Sequence, residues 1–193
     1  MGVVLNKQQF LQRFSFHGLD NISSPYLHHG QLKQASVLIP LTYSDDGIEI
    51  VLTKRAAHLK HHAGQISFPG GKVEEFDNSI ISTALREAHE EIGLRPADVD
   101  IVGQLKDYHT ITGFNITPIV AFIPRDYPFV KDDNEVSEIF TVPFNHFINE
   151  KNHLDIEVKR KGIKHNIYFM PYLNYNIWGA TAAILKDLVV HLK

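Results

Sequence analysis

Cysteine is absent from this 193-residue chain, methionine occurs twice and tryptophan once. Without a thiol there is no disulfide framework, no thiolate zinc site and no cysteine nucleophile. Long apolar runs are missing as well: no stretch approaches the ~20 consecutive apolar residues needed to span a bilayer. Met1 to Phe16 is interrupted by Gln8, Gln9, Gln12 and Arg13, so it lacks the continuous apolar segment of a secretory signal. There is no excess of positive charge either. The formal net charge of -3 gives no general attraction to nucleic acid, and no basic recognition helix or zinc pattern is evident. The expectation is a soluble, cytoplasmic protein with no membrane or nucleic-acid partner, free to form a homodimer.

What is present is an ordinary globular composition, 44% hydrophobic and 21% charged. The length suits one core, so the expected organisation is a single domain over residues 1–193 with a short N-terminal helical extension over about 1–30. Asn6 and Gln9, with Leu5 and Phe10 placed to staple the turn, predict a helix through about Phe16. Ala35 to Leu41 and Ile48 to Lys54 read as strands joined by a turn at Ser44-Asp45-Asp46-Gly47. Gln65 to Phe68 reads as a short strand, and Pro69-Gly70-Gly71 as a loop whose backbone can approach a ligand. Further strands are predicted over Ile101 to Leu105, Ile116 to Ile123 and Ile139 to Val142. A late hairpin is predicted over Leu154 to Lys159 and Ile163 to Phe169, turning at Lys161-Gly162. A C-terminal helix carries Ala180, Ile184, Leu185, Leu188, Val189 and Leu192 at helical spacing. The order is mixed α/β.

Between these lies a helix from about Ser79 to Ile92, stopped by Gly93 and then Pro96. At 100° per residue, Glu87, Glu90 and Glu91 share one face, while Ile81, Leu85, Ala88 and Ile92 form a separate apolar stripe. The apolar stripe suffices for packing, so the acids are free for another task. Three neighbouring carboxylates repel, which raises their pKa values or weakens the helix unless a cation resolves the conflict. Hard oxygen donors favour Mg²⁺ or Mn²⁺. Alone, such a triplet reads more often as a solvated acidic face.

The surroundings change that weighting. The stretch GGKVEEFDNSIISTALREAHEEIGL, with its core Arg86-Glu87-Ala88-His89-Glu90-Glu91-Ile92-Gly93-Leu94, resembles the Nudix box. Where that box usually has a glutamate near the helix start, this chain has Asp77, with an interval to Arg86 one residue longer than the commonest form. Asp77 is therefore read as capping the helix start or orienting Arg86, with capping the stronger reading. Upstream, Leu52-Thr53-Lys54-Arg55-Ala56, Lys60, Gly64 and Phe68-Pro69-Gly70-Gly71 resemble the motif of the coenzyme A pyrophosphatase branch, with Lys60 where arginine is more usual. Asn176-Ile177-Trp178-Gly179-Ala180-Thr181-Ala182 resembles that branch's C-terminal segment.

The resemblance implies an α/β/α sandwich with a mixed sheet, and Mg²⁺- or Mn²⁺-dependent hydrolysis of the coenzyme A pyrophosphate to 3',5'-ADP and 4'-phosphopantetheine. Glu87, Glu90 and Glu91, with the Gly70 carbonyl, are the expected metal site, and Arg86 is expected to orient a glutamate. Lys54, Arg55, Lys60, Gly64, Phe68, Gly70 and Gly71 are the expected substrate-binding set. Glu135 and Glu138 lie where a general base could enter, although an exposed acidic loop is the commoner explanation. His58, His61 and His62 are left outside the site as clustered surface histidines. ADP-ribose, a dinucleotide or another nucleoside diphosphate derivative is the alternative substrate class, and a nucleotide-binding regulator the alternative without catalysis.

Overall fold

The computed structural model of the protein describes residues 5–16, 31–160 and 163–193, so the expected Lys161-Gly162 turn and much of the expected N-terminal extension lie outside the described residues. In chain order the elements include α1 (Lys7–Phe16), β1 (Lys33–Ser44), β2 (Gly47–Arg55), β3 (Ile66–Ser67), β4 (Gly70–Lys72), α2 (Ile80–Ile92), β5 (Asp100–Gln104), β6 (Tyr108–His109) and β7 (Phe114–Phe122). They continue with β8 (Val136–Pro143), α3 (Phe144–Ile148), β9 (Leu154–Arg160), β10 (Ile163–Phe169) and α4 (Gly179–His191).

The hairpin between β1 and β2 turns tightly, with Ser44 opposite Gly47. Gly47 takes φ 114°, a region a side chain disfavours, and Asp46 N donates to Ser44 Oγ at 3.2 Å. The remaining pairings are long-range. β7 runs parallel to β1 from Lys33–Phe114 to Leu41–Phe122, which extends both strands toward their N-terminal ends beyond their expected starts. β8 lies antiparallel to β2 on its other side, and β5 and β6 pair antiparallel with β7. A mixed sheet results.

Alternation along β1 divides the core. Leu38 faces one side with Val51, Ile119, Ala84, Ala88 and Ile92, so the apolar side of α2 covers that face, with Ala84 in the core where Leu85 was expected; Leu85 is only half-buried because the helix is turned toward its Ala84 edge. Ile39 and Leu41 face the other side with Leu52, Val120, Phe122, Phe144, Leu185 and Leu188, under α1, α3 and α4. This is the α/β/α layering. α1 starts with reciprocal bonds, Asn6 N donating to Gln9 Oε1 at 3.2 Å and Gln9 N to Asn6 Oδ1 at 2.9 Å. It anchors Phe10 edge-on against Phe122 and Phe144, with ring centroids 5.5 and 5.9 Å away. Burial of each such ring contributes about 1.5–3 kcal/mol.

Separate from the main sheet, β9 and β10 pair antiparallel and lie against α4, where Lys186 bonds Asp155 at 2.9 Å and sits 4.0 Å from the Tyr168 ring centre. The neighbouring Asp187 has its pKa pushed up to about 6 by burial, only partly offset by Lys186 and Lys106. A carboxyl whose folded pKa is raised loses stability as pH climbs from its unfolded value through the folded one. Asp187→Asn is therefore expected to stabilise the protein by about 2 kcal/mol at pH 8 and hardly at all at pH 4. Urea unfolding at both pH values checks this. Equal gains at both would remove the ionisation argument.

Candidate functional site

The helix carrying the acidic trio is bounded by local bonds. Ser79 Oγ accepts from Ser82 N at 3.0 Å while Ser82 Oγ accepts from Ser79 N at 2.8 Å, forming a reciprocal cap. At the other end Gly93 adopts φ 69° and its N–H reaches the Ala88 and His89 carbonyls. The cap is thus Ser79, which corrects the stronger of the two readings of Asp77. Serine fits because its short hydroxyl reaches the orphan amides of the first turn, leaving Asp77 for Arg86.

Asp77 and Arg86 make a two-pronged pair, Nε to Oδ1 and Nη2 to Oδ2, both at 3.0 Å. Glu74 N and Thr83 Oγ1 each donate to Asp77 Oδ2 at 2.9 Å. The guanidinium, assisted by these donors, holds the Asp77 carboxyl well below the usual carboxylate range, and the same pairing raises Arg86 above its ordinary value. Arg86 then uses its remaining protons on the acids of the helix. Nη1 donates to Glu87 Oε1 at 2.8 Å and Glu90 Oε2 at 3.1 Å, and Nη2 to the Lys72 carbonyl at 3.0 Å. One guanidinium fixes Glu87, Glu90 and strand β4 together.

β4 itself departs from the expected loop. Gly70 and Gly71 are paired strand residues, opposite Val37 and Ser36 of β1. The glycines mark close approach here. A Cβ on Gly70 would lie 2.4 Å from the Ser36 carbonyl oxygen, and one on Gly71 would lie 2.3 Å from Glu87 Oε1. Gly71→Ala is therefore expected to push the Glu87 carboxylate off Arg86 and lower turnover by ~10²-fold, the loss that a small misplacement of reacting groups causes. Gly64→Ala, where φ is 68° but no atom lies within 4 Å of the added carbon, is expected to cost about 1 kcal/mol of stability. Steady-state rates and thermal melts of the two variants separate these effects. Wild-type turnover in Gly71→Ala would contradict the crowding argument.

Glu91 is the most enclosed acid of the trio, 2% exposed. Arg55 Nη1 lies 3.5 Å from its Oε1, while its Oε2 has no hydrogen-bond partner among the described residues. Burial pushes the Glu91 carboxyl up to about 8, against the pull of Arg55, and the neighbouring acids Glu135 and Glu87 add to the rise. Burial also raises Glu87, opposed by its bond to Arg86. A divalent cation fits this set. It would satisfy the orphaned oxygen, neutralise acids that now repel, and draw only on hard oxygen donors. Among the described residues, no three such side chains already converge on a ready-made cage; Arg86 occupies Glu87 and Glu90 instead.

The other expected residues are distributed around this centre. Arg55 reaches Glu91, and the loop beyond it closes through Gly64 N to Arg55 O at 3.2 Å and Ala56 N to Glu135 O at 2.8 Å. Glu135 is thereby held beside the acids that its charge perturbs. Lys60, His58, His61 and His62 are carried by that loop with Lys60 exposed, and His62 Nδ1 bonds Gln65 Oε1 at 2.8 Å. Lys54 and Glu138 are strand partners with Leu52 and Phe140 on the face away from α2, and Glu138 accepts a short bond from the Tyr175 hydroxyl. Phe68 is 3% exposed within the core under α4, so it packs the sheet and sets up the turn into β4 rather than presenting a ring to a ligand. Trp178 stands at the residue before α4 without making a side-chain capping bond, and stacks on Phe169, with centroids 6.0 Å apart.

Comparison with known proteins agrees with this architecture. The NUDIX domain family model matches residues 32–163. The uncharacterized Nudix hydrolase NudL of Escherichia fergusonii is 36% identical over 188 residues, covering 97% of this chain and 95% of that protein. A NudL from an Enterobacter species is 38% identical over 160 residues, covering 83% of each. Among solved structures, the M. smegmatis Nudix hydrolase RenU superposes with a TM-score of 0.51 at 20% identity, over 61% of this chain and 74% of that one, which speaks to the fold alone.

Proposed function

The chain belongs to the Nudix hydrolase family, enzymes that act on phosphorus anhydride bonds of pyrophosphate-type substrates, and from that premise we propose that its substrate is coenzyme A or a coenzyme A derivative. The observation that carries this reading is the course of Leu52 to Gly71. This segment, similar to the coenzyme A pyrophosphatase motif, runs through β2, the loop bearing Lys60 and Gly64, and β3 into β4. It borders the acids, with Arg55 at 3.5 Å from Glu91.

In the proposed reaction, water attacks one phosphorus of the anhydride, the bridging P–O bond breaks, and 3',5'-ADP and 4'-phosphopantetheine leave, or acyl-phosphopantetheine from an acyl derivative. Family members generally use Mg²⁺ or Mn²⁺, and the bound ion would supply charge neutralisation and a more acidic water. Glu87, Glu90 and Glu91 would hold it, with the Gly70 carbonyl. Arg86 keeps Glu87 and Glu90 aligned without touching substrate. Arg55, Lys54 and Lys60 supply positive charge for the phosphates. Glu135, anchored by its backbone beside Glu87 and Glu91, is the better placed candidate to accept the water's proton, since Glu138 is engaged by Tyr175. Among the described residues no helix is long and apolar enough to cross a membrane.

The test is a product panel. Coenzyme A, ADP-ribose and a diadenosine polyphosphate are each incubated with enzyme and Mg²⁺ or Mn²⁺, with and without chelator, and the products are identified by mass. Metal-dependent release of 3',5'-ADP from coenzyme A supports the proposal. Intact coenzyme A beside cleaved ADP-ribose moves the assignment to that substrate class, and no turnover across the panel favours a nucleotide-binding regulator.

A further inference from the structure

Lys33 and Lys72 share a place that the reaction centre does not use. Lys33 is the strand partner of Phe114, and Lys72 the partner of Ala35, so all four residues project from the same sheet face, opposite α2. Both ammonium groups stand 5.9 Å from the centre of the one Phe114 ring. Such contacts are weak at exposed sites. Two like charges gathered about one ring also repel each other, which works against these contacts. Neither lysine has a carboxylate within salt-bridge distance among the described residues, whereas Lys7, Lys186 and Lys193 are paired with Asp100, Asp155 and Glu150. An anion placed between the two ammonium groups would relieve the conflict.

The connection to the reaction centre runs through β4. Gly71 lies beneath Glu87, and the next residue, Lys72, lends its carbonyl to Arg86 at 3.0 Å while its side chain emerges on the opposite face. From Gly70 to Lys72 the strand advances about 7 Å, of the order of the span of one ribose. A nucleotide with its diphosphate at Gly70 can therefore place a second phosphate on its sugar near Lys72. We propose that Lys33, Lys72 and Phe114 form a subsite for a phosphomonoester on the ribose, with the ring as its apolar wall. This inference rests on the coenzyme A reading above, in which that group is the 3'-phosphate.

The experiment compares coenzyme A with dephospho-coenzyme A, identical apart from that phosphate. Wild-type enzyme is expected to favour coenzyme A at least tenfold in kcat/KM. The Lys33→Gln/Lys72→Gln double variant is expected to bring the ratio near unity, chiefly by raising KM for coenzyme A, and Lys33→Arg/Lys72→Arg to restore it. Thermal melts establish that each variant is folded. A ratio that is near unity in wild type, or survives in the glutamine variant, overturns the subsite. Titration calorimetry with 3',5'-ADP and 5'-AMP reads the same subsite without turnover. Wild type should bind the bisphosphate about tenfold more tightly and the glutamine variant should not. If coenzyme A is not hydrolysed but this binding difference is present, the substrate assignment fails and the phosphomonoester subsite stands. If coenzyme A is hydrolysed but the difference is absent, only the subsite fails.

Discussion

Glu91→Gln is expected to lower turnover on the order of 10²–10³-fold, the loss typical of removing a preorganised electrostatic group, and at the same time to raise the melting temperature of the metal-free protein. The two effects have one origin. Glu91 is 2% exposed, its Oε2 has no hydrogen-bond partner among the described residues, and its pKa is pushed up to about 8 chiefly by burial. Glutamine keeps the shape and removes the charge. Because the folded pKa lies above the unfolded value of ~4.3, the folded state holds the proton more tightly. Stability is then whole below about pH 4 and declines as pH rises toward 8. The variant should therefore gain several degrees at pH 8 in chelator and almost nothing at pH 4, where both proteins carry a neutral group. Added Mg²⁺ or Mn²⁺ should stabilise wild type at pH 8 by preferential binding to the folded state, and the variant much less. Calorimetric scans at the two pH values, with chelator or metal, read all of this. The same pH dependence in wild type and variant would sink the assignment of that slope to Glu91.

Arg86→Ala is expected to be the most destabilising of the substitutions considered. It leaves Asp77, whose side chain is 3% exposed, without its ionic partner, and breaking such a buried pair typically costs about 3–5 kcal/mol. It also releases Glu87 and Glu90 and cuts the tie to Lys72 O, so activity should fall with stability. Arg86→Lys should recover little, since an ammonium cannot reproduce the fork that grips both Asp77 oxygens. Asp77→Asn in the Arg86→Ala background should restore part of the stability and none of the turnover, because neutralising Asp77 leaves the glutamates unaligned. The acid limb gives a further sign. Asp77 is held below its ordinary range by Arg86, so its contribution is present above about pH 4 and is lost as pH falls. In Arg86→Ala that loss should begin at higher pH. Urea midpoints between pH 3 and 7 would show it. A double variant no more stable than Arg86→Ala would mean that Asp77 is not the group left stranded.

Local chemistry was legible in the residue order. The Asn6 and Gln9 pair, the Gly47 turn, the Gly93 stop and the grouping of Glu87, Glu90 and Glu91 on one side of α2 all depend on neighbours within one turn of chain, whereas the expected separation of all three acids from the apolar stripe fails at Glu91, which is buried beside it. Their geometry follows from 3.6 and 2 residue periods and from which side chains tolerate a positive φ. The acidic trio was visible for the same reason, although its surroundings alone distinguished it from a solvated face. Ser79 rather than Asp77 as the cap was harder to read, since both are good capping residues and the choice depends on where residues 73–78 fold back.

Tertiary structure decided the rest. Gly70 and Gly71 signal close backbone approach equally well in a loop and in a strand, and only the pairing with Val37 and Ser36 made them β4. The parallel contact of β1 with β7 has no local signature, yet it brings Lys33, and through β4 Lys72, to Phe114. Phe68 reads as a ligand contact by its place in a motif, and burial under α4 made it a core residue. The sequence by itself determined the α/β element types and the carboxylates of α2, because spacing on one helix is a property of that helix. Which oxygen is orphaned, which cation faces it and which lysines converge are set by strand order, and strand order arises from contacts between residues far apart in the chain.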